Sequence, residues 1–129
     1  MATGFPFSTG DILTASAANG LVAFTLNDQT GTTYTPVLTD QYHVLITRSN
    51  ASASTLTIPT NASVAYPVGT VITVLNKGAG TVTISAVTSG TTTILSAGAV
   101  AASPTLAQYK TAACIKTATD TWYVVGAIA

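Results

Sequence analysis

The most conspicuous shortage in this chain is charge. Of 129 residues only 6% are ionic, four basic and four acidic, and glutamate is absent altogether. Ordinary globular chains are about 25% charged. The four cations, Arg48, Lys77, Lys110 and Lys116, are scattered along the sequence. No basic stretch is therefore available to release counterions from a phosphate backbone, and no nucleic acid is expected as a partner. One cysteine, Cys114, rules out an intrachain disulfide, and its apolar run "TAACIKT" reads as a buried strand. One histidine, His43, and one thiol leave any zinc site incomplete. No apolar run approaches the eighteen residues of a membrane span. The start, "MATGFPFSTGD", has neither a basic n-region nor a continuous apolar core, so the expected setting is a cytoplasm without secretion.

Catalytic groups are equally sparse. The carboxylates are Asp11, Asp28, Asp40 and Asp120, and turn or cap duty accounts for all four. A glycosidase pair remains open on number alone. A Cys114–His43 nucleophile pair meets the difficulty that apolar surroundings disfavour a thiolate. The expectation is a protein that is not an enzyme and takes no cofactor or metal. Asn50-Ala-Ser52 and Asn61-Ala-Ser63 match the glycosylation sequon, which without a leader reads as coincidence in a chain rich in Ser and Asn.

What is plentiful is threonine, roughly one residue in five, accompanied by Val, Ile and Tyr. From Leu21 onward the composition predicts strands over Val22–Asn27, Thr32–Leu38, Val44–Arg48, Thr55–Ile58, Thr70–Asn76 and Thr81–Ala86. Three more are expected over Thr91–Leu95, Gln108–Lys116 and Thr121–Ile128, with turn-forming clusters between them all. Alternation in "TLTIP" and "TVTIS" sends Leu56, Ile58, Val82 and Ile84 inward. The strand "TVITVLN" is apolar on both faces and calls for cover on both, from a second sheet or a neighbouring chain. "GAG" lacks the third glycine and the following helix of a dinucleotide fingerprint. Gly78 and Gly80 are expected to supply positive φ in a hairpin between Thr70–Asn76 and Thr81–Ala86. No internal repeat stands out. Tyr34, Tyr42, Tyr66, Tyr109, Tyr123 and Trp122 read first as core-filling strand residues, with a sugar-stacking platform as the functional alternative.

The first twenty residues differ. Ser8 and Asp11 stand at capping-box spacing and Asn19–Gly20 supplies a stop, so a short helix is expected between them. Phe5 and Phe7, two apart around a proline, share one side of an extended segment and either fold back on the core or anchor to a neighbour. The expected fold class is all-β: a single jelly-roll-like β-sandwich at 21–129, preceded by an arm and short helix at 1–20.

The run "TGTTYTPVLTD" through "STLTIPTNASVAYPVGTVITVLNKGAGTVTISAVTSGTTT", continued by "LAQYKTAACIKTATDTWYVVG", resembles a β module found in virion proteins of tailed bacteriophages and prophages. The matching positions are Tyr34, Asp40, Pro59, Tyr66, Pro67, Gly69, Gly78, Gly80 and Trp122. "FSTGDILTASAANGL" is similar to the helical entry segment of phage fibre and appendage chains. The resemblance implies a non-enzymatic, usually trimeric role in a virion assembled in a bacterial cytoplasm. A module that is nearly the whole chain suits a capsid decoration (cement) protein, a homotrimer seated on the major capsid protein. Phe5, Phe7, Ile12 and Leu13 are then the candidate anchoring arm. A tail, neck or head-fibre appendage that contacts a host-surface glycan is the alternative.

Overall fold

In the computed structural model the described residues are Ala15, 23–97, 99–100 and 103–129. They form two mixed β-sheets packed on one core, the all-β sandwich that the composition implies. The larger sheet holds β1 (Thr25–Gln29), β3 (Val44–Arg48), β5 (Val71–Asn76), β7 (Thr93–Ser96), β8 (Ala99–Val100), β10 (Thr111–Ala118) and β11 (Thr121–Gly126). The smaller holds β2 (Thr33–Tyr34), β4 (Ser54–Ile58), β6 (Val82–Ala86) and β9 (Thr105–Leu106). Strand order is β1-β3-β5-β10-β11-β7-β8 in the first sheet and β2-β4-β6-β9 in the second. Apart from Ala15, the expected arm and helix at 1–20, with Phe5, Phe7, Ile12 and Leu13, lie outside the described residues.

The winding is not the antiparallel order of a jelly roll. The chain alternates between sheets from β1 to β6, and β1, β3 and β5 are parallel neighbours, as are β2, β4 and β6. Three successive turns of chain thus stack like the rungs of a flattened solenoid. The second and third rungs sit 28 residues apart throughout, with Leu45 opposite Thr73 and Ser54 opposite Val82. Antiparallel pairing enters later, where β10 joins β5 to β11 and β9 closes against β6.

This winding corrects the hairpin expected at "NKGAG". β5 and β6 belong to different sheets, and the segment between them is a corner where the chain crosses from one sheet to the other. Gly78 and Gly80 are not among the positive-φ residues; Gly69, Gly90 and Gly126 are. Their role is close approach. A Cβ on Gly78 would overlap the Asn50 backbone, and one on Gly80 the Ser52 carbonyl. The corner of the third rung rests directly on that of the second. Hydrogen bonds from Lys77 N to Arg48 O (2.8 Å) and Gly80 N to Asn50 O (3.0 Å) continue the inter-rung pairing through the bend.

Pleating explains the core. Ile46, Ile72, Val74, Cys114, Trp122 and Val124 point from the larger sheet onto Leu56, Ile58, Val82, Ile84 and Leu106 of the smaller one. All are buried, at alternate positions of their strands as a period of two requires. Trp122 meets Tyr66 edge to face, with ring centroids 5.6 Å apart. Tyr66 arrives from the β4–β5 loop, so that loop is part of the core rather than a surface excursion.

Candidate interaction surface

Of the seven ionic side chains among the described residues, three are withdrawn from solvent. Arg48, Lys116 and Asp40 are buried, while Lys77, Lys110, Asp28 and the half-buried Asp120 reach the surface. The outside is thus even poorer in charge than the composition suggests.

Each described carboxylate serves as a structural acceptor. Asp40 accepts from the Tyr34 hydroxyl (2.6 Å), from Asn27 Nδ2 (2.9 Å) and from the backbone N–H of Val37 (2.9 Å). The last bond caps the one-turn 3₁₀ helix Leu38–Gln41, a more deeply buried role than the turn expected there. Burial, reinforced by the hydrogen bond to Asp40, pushes the Tyr34 phenol up to about 12. Asp28 Oδ1 accepts from Thr47 Oγ1 (2.5 Å) and Ser49 Oγ (2.9 Å) and pairs with Lys77 Nζ at 3.2 Å. These donors, the two hydroxyls first, hold its carboxyl at about 2. Asp120 accepts from the Asn61 N–H at 2.8 Å.

The cysteine is fully buried mid-strand, and burial pushes its thiol up to about 12. A nucleophilic thiolate has no foothold there. His43 stands at a left-handed φ of 52°, with its ring edge-on to Phe24 at 5.0 Å between centroids. Among the described residues no three His, Cys, Asp or Glu side chains gather as a metal site. Asn61 of the second sequon accepts from Lys116 Nζ at 2.7 Å, and Asn50 of the first donates to the Thr30 carbonyl at 2.9 Å.

The aromatic residues divide. Tyr66 and Trp122 are core, and Tyr34 packs against it. Tyr42, Tyr109 and Tyr123 are exposed, Tyr109 by 79% and at a left-handed φ of 67°. Tyr109 lies beside the glycine corner, where its N–H donates to Asn76 O at 2.6 Å. Near the same end stand Arg48, Lys77 and Lys110, whereas Asp40, Lys116 and Asp120 belong to the opposite end. A small hollow of about 220 Å³ between β6 and β7 is lined by Ser85, Ser89, Thr92, Thr93 and Ser103 together with Ala86, Gly90 and Ile94, with no ionic group.

The outer face of the seven-stranded sheet carries apolar side chains across several strands. Register places Leu26, Leu45, Thr73, Ala113 and Val125 side by side in one row. The next row runs Val71, Ile115, Tyr123 and Leu95. A third carries Asp28, Thr47, Leu75 and Thr111. Leu26 is 64% exposed, Val71 46%, Tyr123 44% and Val125 44%, and the central positions between them are half-buried. The strand "TVITVLN" behaves as its pattern requires: Ile72 and Val74 enter the core, while Val71 and Leu75 face outward. Inward cover comes from the second sheet; on the outward side Val71 is exposed, Thr73 and Leu75 are half-buried, and the neighbouring Thr47 is buried. The only ionic side chain in these rows is Asp28, already engaged by Lys77.

No family model, curated protein or solved structure matches the chain.

Proposed function

We propose that this is a non-enzymatic bacteriophage virion protein, a capsid decoration protein that binds the outer shell as a homotrimer and stabilises it. The observation that carries the reading is an apolar outer sheet face on a chain whose exterior is almost without charge. Contiguous apolar patches of several hundred Å² mark interaction surfaces, and near-zero net charge gives copies little mutual repulsion. The resemblance of "YPVGTVITVLNKGAG" and the late Trp strand to phage surface modules supplies the shell as the setting. The major capsid protein is the partner, with Phe5, Phe7, Ile12 and Leu13 as its anchoring arm. Neither nucleic acid nor membrane takes part.

The test is co-sedimentation of the purified chain with phage shells that lack it, scored by retention of those shells on heating. Saturable binding and a raised disruption temperature are expected. Absence of binding across shells from any producing particle would reject the reading.

One observation favours a second reading. Tyr109 projects from a constrained backbone beside Lys110, a form of presentation suited to stacking on a sugar face. An appendage that touches a host-surface glycan would bind whole cells, and Tyr109→Ala would abolish that binding.

A further inference from the structure

The outer face of the larger sheet has the relief of a surface that packs on itself. In one row the small side chains Thr73 and Ala113 lie between Leu45 and Val125, which makes a trough. In the neighbouring row Ile115 and Tyr123 stand as a ridge, two residues along the same strands. We propose that this face is closed by further copies of the same chain, the ridge of one copy seated in the trough of the next. The inference rests on the homotrimer reading above and deepens it by naming the surface around which the copies turn.

Area, charge and geometry select another copy as the occupant. Six strands at 4.7–4.9 Å spacing and five residues at about 3.3 Å rise give roughly 500 Å² in projection. A corrugated surface exposes more than its projection, and a specific interface needs about 600–1,000 Å² from each partner. With that added relief the face comes within reach of what a contact with another copy needs. With Asp28 neutralised by Lys77 at its margin, the face meets its own image without repulsion, whereas a partner of different sequence would find no ionic group there to select it. Sheets pack face to face at about 10 Å when side chains interdigitate, and with ridge and trough in adjacent rows the ridge of one copy can enter the trough of the next. Contacts of ridge to trough between successive copies close into a ring when the rotation permits.

The experiment is the mass of the full-length chain in solution by light scattering, for the natural sequence and for Val71→Lys, Val125→Lys and Val87→Lys. The first two positions lie on the face; Val87 is equally exposed but follows β6 in the other sheet. All three are surface positions, and circular dichroism with thermal melting establishes that each variant is folded. A mass of three chains of 13.0 kDa is expected for the natural protein and for Val87→Lys. Val71→Lys and Val125→Lys should weaken association by about 100-fold or more, because each buries an unpaired ammonium. A two-chain mass with the same sensitivity keeps the face and overturns the threefold arrangement. A single-chain mass for the natural protein at about 100 μM, or an oligomer indifferent to both face substitutions, overturns the proposal. A trimer that dissolves as expected yet never sediments with shells leaves this inference standing and rejects the decoration reading instead.

Discussion

Gly80 lies directly against the Ser52 carbonyl, with no room between them for even one methyl group. The same holds 28 residues apart for Gly78 and Asn50. Stacking of the third corner on the second is therefore a steric condition of the fold. Gly78→Ala and Gly80→Ala should each destabilise the protein by about 1–3 kcal/mol or more, the cost of overpacking where backbone meets backbone. Gly31, whose nearest neighbour to an added Cβ would be 3.9 Å away, should accept alanine with little change. Chemical denaturation of the three variants checks the contrast.

Arg48 is buried with Nη2 donating to the Gly31 carbonyl at 2.9 Å, while Nε and Nη1 find no partner. Burial lowers its proton affinity below the ordinary guanidinium value. A buried cation without a carboxylate costs more in desolvation than a single hydrogen bond returns. Arg48→Met, apolar and similar in length, should therefore leave stability unchanged or raise it by about 1–3 kcal/mol, measured by thermal melting. A clear loss of stability would show that the guanidinium is compensated in a way this geometry does not provide.

The acid limb of stability should depend on Asp28. Its folded carboxyl sits at about 2 against an unfolded value of 3.8, so the folded state binds fewer protons in that interval. Its contribution is complete above pH 3.8 and is lost as pH falls towards 2. Asp28→Asn removes the group, so the variant should lose less stability than the natural protein between pH 4 and pH 2. Urea midpoints taken across that interval report the difference.

On the alkaline side the sign reverses. Cys114 has its folded thiol raised to about 12 from 9.0, so its contribution is complete below pH 9.0 and declines as pH rises towards 12. In the native protein the thiol should resist alkylation at pH 8 and react at once in denaturant. Rapid native labelling would show that β10 opens.

Much of the fold was legible in local pattern. Val44–Arg48 is the strand that the residues predict, and the inward alternation of Leu56, Ile58, Val82 and Ile84 is observed. The winding was not. Rungs two and three superpose Leu45–Ile58 on Thr73–Ala86, yet across that span only Ala51/Ala79 and Thr55/Thr83 are identical. A solenoid rung needs apolar residues at alternate positions and small ones at the corner, and many sequences satisfy both. The glycines pointed to a bend correctly but for a different reason: chain-on-chain contact, which no spacing within one segment reveals. The short strands Thr105–Leu106 and Ala99–Val100 escaped notice because two residues carry no period. Burial of Lys116 was equally hidden, since its partners Asn61 and the Tyr66 carbonyl lie more than forty residues away in sequence.

The exposed face was foreshadowed by the doubly apolar "TVITVLN", but its extent came from register. Only pairing brings Leu26, Thr73, Ala113 and Val125 into one row.

The most direct test of the whole account is an electron-microscopy map of intact phage particles that contain this chain. The account predicts three-lobed density on the outer shell, with the seven-stranded sheets turned towards one another about the threefold axis and Tyr123 out of solvent. Density confined to the tail, or lobes on the shell that leave this sheet face open to water, would contradict it.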